Sequence, residues 1–435
     1  MPAPAPVRLS AAAVVLALLS GSLLGWPLAA GPARAEGITG APGPYGETLR
    51  LDEKGLTLQF PDETARLRIG GRLHLDVGAG AVRQRGFGPA LPDAVAVRRS
   101  WIESYLTLGR DLELAFQYDL ADPMRPINDA VAAYKGFKDV IVAVGNMKEP
   151  FSLNQLISDN TTLFTERSLA DALVPARNFG AALGLHGERW TAVTGIFGGN
   201  ANTGPDTGGL ASTTRLTYAP WLAENRIDVV HLGLAGSYRA LPRDGQAFRL
   251  SSRPEAFLFE RRLVDTGTLR DAASVARIGL EAAFQTGPFR MQAEYILTEV
   301  GRFDGAQALR FQGGYVQAGL VLNGEGRRYR IAPDYATEYA VFAGIDVPER
   351  QRVSRGGIGV FELGLRYSAL DLENSPVRGG IEQDVTVGLN WYPEKNLRFV
   401  FDYVRAHAAP SAQATGFGRR TVDSDVFIGR AQLYW

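Results

Sequence analysis

Phe427-Ile428-Gly429-Arg430-Ala431-Gln432-Leu433-Tyr434-Trp435 closes the chain with a period of two. Phe427, Gly429, Ala431 and Leu433 fall on one face, Arg430 and Gln432 on the other, which is how a β-strand distributes its side chains. A terminal aromatic suits the membrane–water boundary of an outer-membrane strand. The same period recurs upstream. In 66–77, Leu67, Ile69, Leu73, Leu75 and Val77 oppose Arg66, Arg68, Arg72, His74 and Asp76. In 111–120, Leu112, Leu114, Phe116, Tyr118 and Leu120 oppose Asp111, Glu113, Gln117 and Asp119. Residues 289–298, 361–368, 383–391 and 397–403 alternate likewise, and a helical period fits none of them.

Alternation alone also describes a soluble sandwich with one wet face. Three features favour a membrane barrel. The segments run to about ten residues, the length of a tilted spanning strand. Aromatics gather at their ends: Trp101, Tyr105, Tyr118, Tyr134, Trp190, Tyr218, Trp221, Trp391, Tyr392 and Tyr403. Short turns such as Thr286-Gly287-Pro288 interleave with long polar loops near 200–210, 240–273, 323–358 and 406–421. The expected fold is all-β, a transmembrane antiparallel β-barrel of about 16 strands, wide enough for a watery channel.

Composition agrees. Hydrophobic residues make up 46% of 435, too few for a bundle of spanning helices and right for a wall that is greasy at every second position. The 50 glycines serve hairpins and crowded walls. Absence of cysteine removes disulfide, thiol and zinc-thiolate chemistry. A formal charge of +0 gives no sign of a nucleic-acid partner. Residues 1–35 read as a cleaved signal peptide: Arg8, the apolar run Leu9 to Leu24, then Ala33-Arg34-Ala35 before Glu36. Residues 36–61, with Gly40-Ala41-Pro42-Gly43-Pro44, read as an irregular periplasmic segment, and 62–435 as the barrel.

One connection differs from the rest. Between Met147 and Phe179 it carries Phe151, Leu153, Leu156, Ile157, Leu163, Phe164 and Leu169, too apolar for a solvated loop. The segment at about 148–178 is therefore expected to fold inward as a constriction loop. Here Met147-Lys148-Glu149-Pro150-Phe151, followed by Thr165-Glu166-Arg167-Ser168, closely resembles the signature of the phosphate- and polyphosphate-selective porin family, porins O and P. Arg68-Ile69-Gly70-Gly71-Arg72-Leu73, Arg98-Arg99-Ser100-Trp101-Ile102-Glu103 and Gly388-Leu389-Asn390-Trp391-Tyr392 resemble further blocks of that family, in order. The resemblance implies a homotrimer of 16-stranded barrels in the outer membrane, reached by export through the periplasm. It also implies an inward third loop, and basic side chains that line a route for phosphate or polyphosphate. Lysine is scarce: only Lys54, Lys135, Lys138, Lys148 and Lys395 occur. A multi-lysine cluster of the family's kind cannot be assembled in full.

Strand parity nominates Arg66, Arg68, Arg72, Arg99, Arg215, Arg277, Arg290, Arg366 and Arg398 as pore-facing cations, with Lys148 and Arg167 on the constriction loop. The planar guanidinium fork suits oxyanions. The competing use of each arginine is pairing with a lumenal carboxylate, for which Asp76, Glu103, Glu113, Asp119, Glu294, Glu362, Asp384 and Asp402 are candidates. His74, His186 and His231 also take lumenal parities, and His407 reads as a loop residue. No H-E-x-x-H, G-x-S-x-G, phosphate-loop motif or Cys/His metal spacing occurs, so no enzyme, metal or cofactor is expected. Passive diffusion of anions through an arginine-lined lumen is the expected function. A general, weakly selective pore and a surface adhesion barrel are the competing readings.

Overall fold

The computed structural model describes residues 38–39, 46–52, 55–61, 64–83, 91–203, 208–243, 248–259, 261–333, 336–412 and 421–435. The signal read over 1–35 lies outside them, as does part of the 36–61 segment.

Sixteen strands form the wall. They are β1 (Ala65–Arg83), β2 (Leu91–Leu108), β3 (Leu112–Asp119), β4 (Ile127–Phe137), β5 (Val140–Lys148), β6 (Arg177–His186), β7 (Trp190–Phe197) and β8 (Leu210–Leu222). The second half comprises β9 (Val229–Ala240), β10 (Ala272–Thr286), β11 (Phe289–Arg302), β12 (Leu309–Val321), β13 (Val360–Asn374), β14 (Val377–Glu394), β15 (Leu397–Ala409) and β16 (Val422–Tyr434). Successive strands pair antiparallel, as in β1 with β2 and β15 with β16. The C-terminal strand then returns to the first, from Asp423↔Arg83 to Tyr434↔Arg72. Trp435 and Gly71 exchange both backbone hydrogen bonds at 3.0 Å, so the last residues of the chain are the seam. A hairpin of Thr48–Asp52 and Gly55–Gln59 lengthens the wall below it, pairing with β1 from Leu56↔Ile69 to Gln59↔Arg66. Closure satisfies the strand edges, as hydrocarbon demands.

Burial is inverted relative to a soluble protein. On β13, Leu363, Leu365 and Tyr367 are 42%, 54% and 48% exposed, whereas Glu362, Arg366 and Ser368 are at most 2% exposed. Apolar side chains face outward, as a lipid-facing wall requires. Aromatic rings cluster at the end that carries Trp435: Phe361 stacks on Trp391 at 6.2 Å and Trp391 on Phe399 at 5.4 Å. Not every strand-end aromatic belongs to this girdle. Trp101 and Tyr392 are buried on the inner face, and Tyr105 donates its hydroxyl to Glu103 at 2.8 Å. A ring with a polar handle serves a polar interior as readily as an interface.

Turns 109–111, 138–139, 187–189, 223–228, 287–288 and 395–396 share the Trp435 end. The connections that follow β5, β7, β9 and β15 are longer and leave from the other end. The expected asymmetry fails in one place. The 322–359 connection, read as one of the long polar loops, is at the short-turn end. Its Tyr329, Tyr339, Val341, Phe342 and Val347 are buried, because it runs up inside the barrel. His407 is likewise corrected: it lies within β15, exposed, with Nδ1 at 2.9 Å from Asp423.

The lumen is thus filled from both ends. Segment 149–176 presses Phe151 against Gly279 and Phe164 against Gly364 and Gly388. A Cβ at these glycines would lie 3.0, 2.9 and 2.9 Å from the ring atoms. Leu153, Leu156 and Ile157 of that segment pack with Ala340, Val341 and Phe342 of the 322–359 connection. Wall side chains hold the backbone between these contacts. Asn390 donates to Leu163 O at 2.9 Å, Arg398 to Thr162 O at 2.6 Å, and Asp402 accepts from Thr165 N at 2.7 Å. Replacing Gly364 by Val should expel the Phe164 ring and cost about 1–3 kcal/mol, the range for overpacking. Urea unfolding followed by tryptophan fluorescence checks this, and an unchanged midpoint would refute the contact's importance.

Candidate functional site

The doublet Arg98-Arg99 on β2 would ordinarily send its side chains to opposite faces. The β1–β2 register shifts here: His74 pairs with Arg99 and Leu75 with Val97, leaving Arg98 as the extra residue. Such a bulge re-aims a side chain, and both arginines reach segment 149–176. Arg98 grips Glu166 through Nε and Nη2 at 2.9 and 3.0 Å. Arg99 Nε is 3.2 Å from Asp159, whose other oxygen is 2.6 Å from Arg167. From β16, Arg430 binds Asp76 at 2.7 and 2.8 Å and Glu166 at 2.8 Å. Burial pushes the Asp159 and Glu166 carboxyls up. The surrounding cations overcome it, Arg167 and Arg99 at Asp159, Arg98 and Arg430 at Glu166, and hold both below the usual carboxylate range.

The eleven cations nominated from sequence meet three fates. Six are tied to carboxylates: Arg72 to Glu103, Arg99 and Arg167 to Asp159, Lys148 to Glu338, Arg215 to Glu281, and Arg366 to Glu255. Three hold neutral groups. Arg277 donates to Leu173 O at 2.7 Å, Arg290 to Gln292 Oε1 at 3.2 Å, and Arg398 to Asn390 and to carbonyls of the inner segment. The last two stand near the short-turn end. Arg66 is exposed and within 3.4 Å of Thr107 Oγ1, and Arg68 lies over the Tyr105 ring at 4.3 Å. Of the wall carboxylates, Asp76, Glu103 and Glu362 pair with arginine, the last with Arg327 at 2.7 Å. Glu113 pairs with Lys135 at 2.7 Å. Asp119, Glu294, Asp384 and Asp402 accept backbone N–H groups instead. His74 and His231 face inward, on Asn160 at 3.0 Å and on Tyr329 at 2.6 Å.

Between 149–176, 241–271, 120–126 and β2 lies a cavity of about 430 Å³. Arg98, Arg99, Arg125, Arg167, Arg253 and Arg262 line it with Asp122, Glu166, Asp171 and Glu255. Arg253 donates to Phe257 O at 3.1 Å and Arg262 to Ser251 Oγ at 2.5 Å. Neither has a carboxylate partner among the described residues. Burial, then the positive Arg253 and Arg249, push the Arg262 guanidinium down against the opposing pull of Asp265. Arg99 Nη1 is buried and has no hydrogen-bond partner. A second cavity of about 360 Å³ opens at the short-turn end, lined by Arg68, Glu103, Tyr105, Asn160, Asp346 and Lys395. Among the described residues no group of three or more His, Cys, Asp and Glu is placed to hold a metal.

Sequence reasoning missed Arg98, Arg327 and Arg430 as lumenal cations, and Arg125, Arg253 and Arg262 as cations of the cavity at the mouth. Parity placed Arg430 on the inner face, and the Arg-Arg doublet was a visible cue for a bulge. The loop arginines leave no periodic trace.

The Phosphate-selective porin O and P family model matches residues 67–435. The chain is 28% identical over 360 residues to an uncharacterized protein of Caulobacter vibrioides, covering 79% of this chain and 69% of that one. It is 25% identical over 419 residues to Porin O of Pseudomonas aeruginosa, covering 87% and 90%. Among solved structures it is similar to the anion-selective porin from Comamonas acidovorans, with TM-score 0.54, 12% identity and 85% and 100% coverage. It is also similar to OmpT of Vibrio cholerae, with TM-score 0.53, 11% identity and 86% and 98% coverage. Those two establish likeness of fold. With the family model spanning the whole wall and the closed barrel beneath it, the chain belongs to the phosphate-selective porin O and P family, as a porin of the bacterial outer membrane.

Proposed function

We propose that the channel passes anions by passive diffusion, phosphate or polyphosphate among them, and that basic side chains of the lumen set the preference. The observation that carries this is the 430 Å³ cavity, where six arginines converge from three loops and one strand. An entering phosphate sheds water, and guanidinium forks replace it with charge-assisted hydrogen bonds. Several weak sites in series let the ion move on without being trapped. The family description and the Porin O relative support phosphate as cargo. In this reading 1–35 directs export, 36–61 is a periplasmic lead-in, 148–178 is the constriction, and three copies assemble in the outer-membrane lipid.

A second reading, a general pore of weak selectivity, draws on the pairing of six nominated cations with carboxylates. A reversal potential in a planar bilayer under a chloride gradient, with phosphate titrated in, separates the two. Anion-side reversal with phosphate block supports the first. A potential near zero without block supports the second. Exchanging Arg253 and Arg262 together for Glu should cut anion preference several-fold, and an unchanged reversal potential removes both from the selective machinery.

Docking of the constriction loop has its own pH signature. Glu166 is held below the ordinary glutamate value of about 4.3, so its contribution is complete above that value and is lost only as pH falls through the lower one. Stability attributable to Glu166 should therefore be equal at pH 7 and pH 5. Glu166→Gln should cost about 3 kcal/mol at both, the scale for breaking one partner of a buried pair, in urea unfolding. A loss confined to pH 7 would contradict the assignment.

A further inference from the structure

The outer face of the wall is hollowed between β10 and β14, where a groove of about 710 Å³ opens toward lipid. Small residues make its floor on four successive strands. Ala282 faces Ala293 across β10 and β11, and Gly314 faces Ala369 across β12 and β13. Large side chains stand on either side: Leu280 and Tyr295 are 53% and 44% exposed, Val316 and Tyr367 48% each. Tyr295 is fixed in place. Its hydroxyl donates to Gln312 Oε1 at 2.5 Å, and its ring lies 3.5 Å from where a Cβ on Gly314 would be.

The upper rim of the groove is polar. Asp371 stands on β13 ten residues beyond Phe361 of the girdle, a rise of roughly 25 Å for a strand tilted by about 40°. That is the height of the apolar band of a barrel, so the rim meets the lipid headgroups at the long-loop end. Gln312 pairs with Asp371 in register, and Gln383 with Ala369. Asp371 accepts the Glu373 N–H at 2.9 Å, and Glu373 accepts the Gly380 N–H at 3.0 Å. Among the described residues neither carboxylate has a lysine or arginine partner. Arg310 is bound to Glu299 at 2.8 Å, and Arg378, opposite Glu373 in the β13–β14 hairpin, is not paired with it. An apolar slot thus ends in hydrogen-bond acceptors and uncompensated negative charge.

Left empty, such a slot would forfeit dispersion contacts along both of its sides, and in a membrane the apolar body at hand is an acyl chain. The outer wall of a second copy is convex and cannot enter it. At the rim a primary ammonium brings three N–H donors and a positive charge. A phosphoglycerol head would set a further negative charge against Asp371 and Glu373. We propose that the β10–β14 groove is a binding site for one outer-membrane lipid with a primary ammonium head. Its acyl chain lies on Ala282, Ala293, Gly314 and Ala369, and its ammonium on Asp371. The site is outside the lumen and does not depend on which ion the channel passes.

Native mass spectrometry of the delipidated protein in detergent tests this, with phosphatidylethanolamine and phosphatidylglycerol of identical chains as the probes. The wild type should hold one phosphatidylethanolamine per chain about tenfold more tightly than phosphatidylglycerol, the ratio that one hydrogen bond to a charged group supplies. Asp371→Asn should bring the two lipids within about threefold. Ala369→Phe, which fills the floor from the lipid side, should weaken both by about tenfold. Equal affinity of the wild type for the two lipids, or a ratio that survives Asp371→Asn, overturns the ammonium assignment. Unchanged affinity in Ala369→Phe overturns the groove as the seat. Dissociation of a wild-type oligomer by Ala369→Phe, with lipid binding intact, also overturns the proposal and gives the groove to a contact between copies. Both positions face lipid, so chloride conductance equal to wild type in planar bilayers identifies the variants as folded barrels.

Discussion

Guanidinium groups on the wall, clasped to acids and carbonyls of the inner segments, are the constraint on which everything else depends. A barrel of this width leaves a polar interior, and segments 149–176 and 322–359 fold into it. Their backbone groups need partners that the strands, hydrogen-bonded to each other, cannot supply. Arg398 feeds Asn160, Thr162 and Leu163 carbonyls. Arg430 reaches Thr165 O as well as Asp76 and Glu166. Arg327, itself on the lower segment, bridges Glu362 of β13 and Thr161 of the upper segment. Buried pairs of this kind contribute little net stability against apolar replacements, but removing one partner strands a charge. They therefore act as locks on position, and a channel needs its narrow part held in position.

Glycine does complementary work on the same wall. Phe151 and Phe164 lie against Gly279, Gly364 and Gly388, where any Cβ would intrude on the rings. The inner segment is apolar where it meets these flat patches and polar where it meets arginine. That mixture is what made 148–178 look unlike a solvated loop.

Much of the fold was legible because a strand has one period and a membrane wall has two chemically opposite faces. Arg72, Arg215 and Arg366 could be assigned to the inner face from their apolar neighbours alone. What parity could not see was anything that breaks the period. Arg98 turned inward through a bulge. Arg253, Arg262 and Arg327 arrive on segments without alternation. Trp101 and Tyr392, read as strand-end aromatics, face Arg72 and Glu362 instead. The 322–359 connection has the composition of an outer loop, because a segment that threads a polar lumen needs the same charged residues as one that meets water. Which carboxylate takes which arginine is a property of three-dimensional neighbours hundreds of residues apart, as with Arg430 and Asp76, and no spacing rule carries it.

The pairing also decides how selectivity can operate. A ladder of free arginines would act at long range, steering anions from bulk solution. Here the chain's formal charge is zero and most wall arginines face a compensating acid a few ångströms away. The fields of opposite charges that close cancel beyond a few times their separation, and salt screens what remains over about 8 Å. An anion outside the barrel therefore feels little net field from the wall. Under the proposed anion reading, preference arises at contact, in spaces such as the cavity where Arg253 and Arg262 have no carboxylate partner among the described residues. Contact recognition depends on hydrogen-bond geometry and on which ligand atoms carry protons, so it is weakly screened by salt and sensitive to the chemical identity of the ion. In a lumen wired in this way most arginines of the wall serve as architecture, and the proposed preference falls to those of the loops, Arg253 and Arg262 among them, that have no carboxylate partner among the described residues.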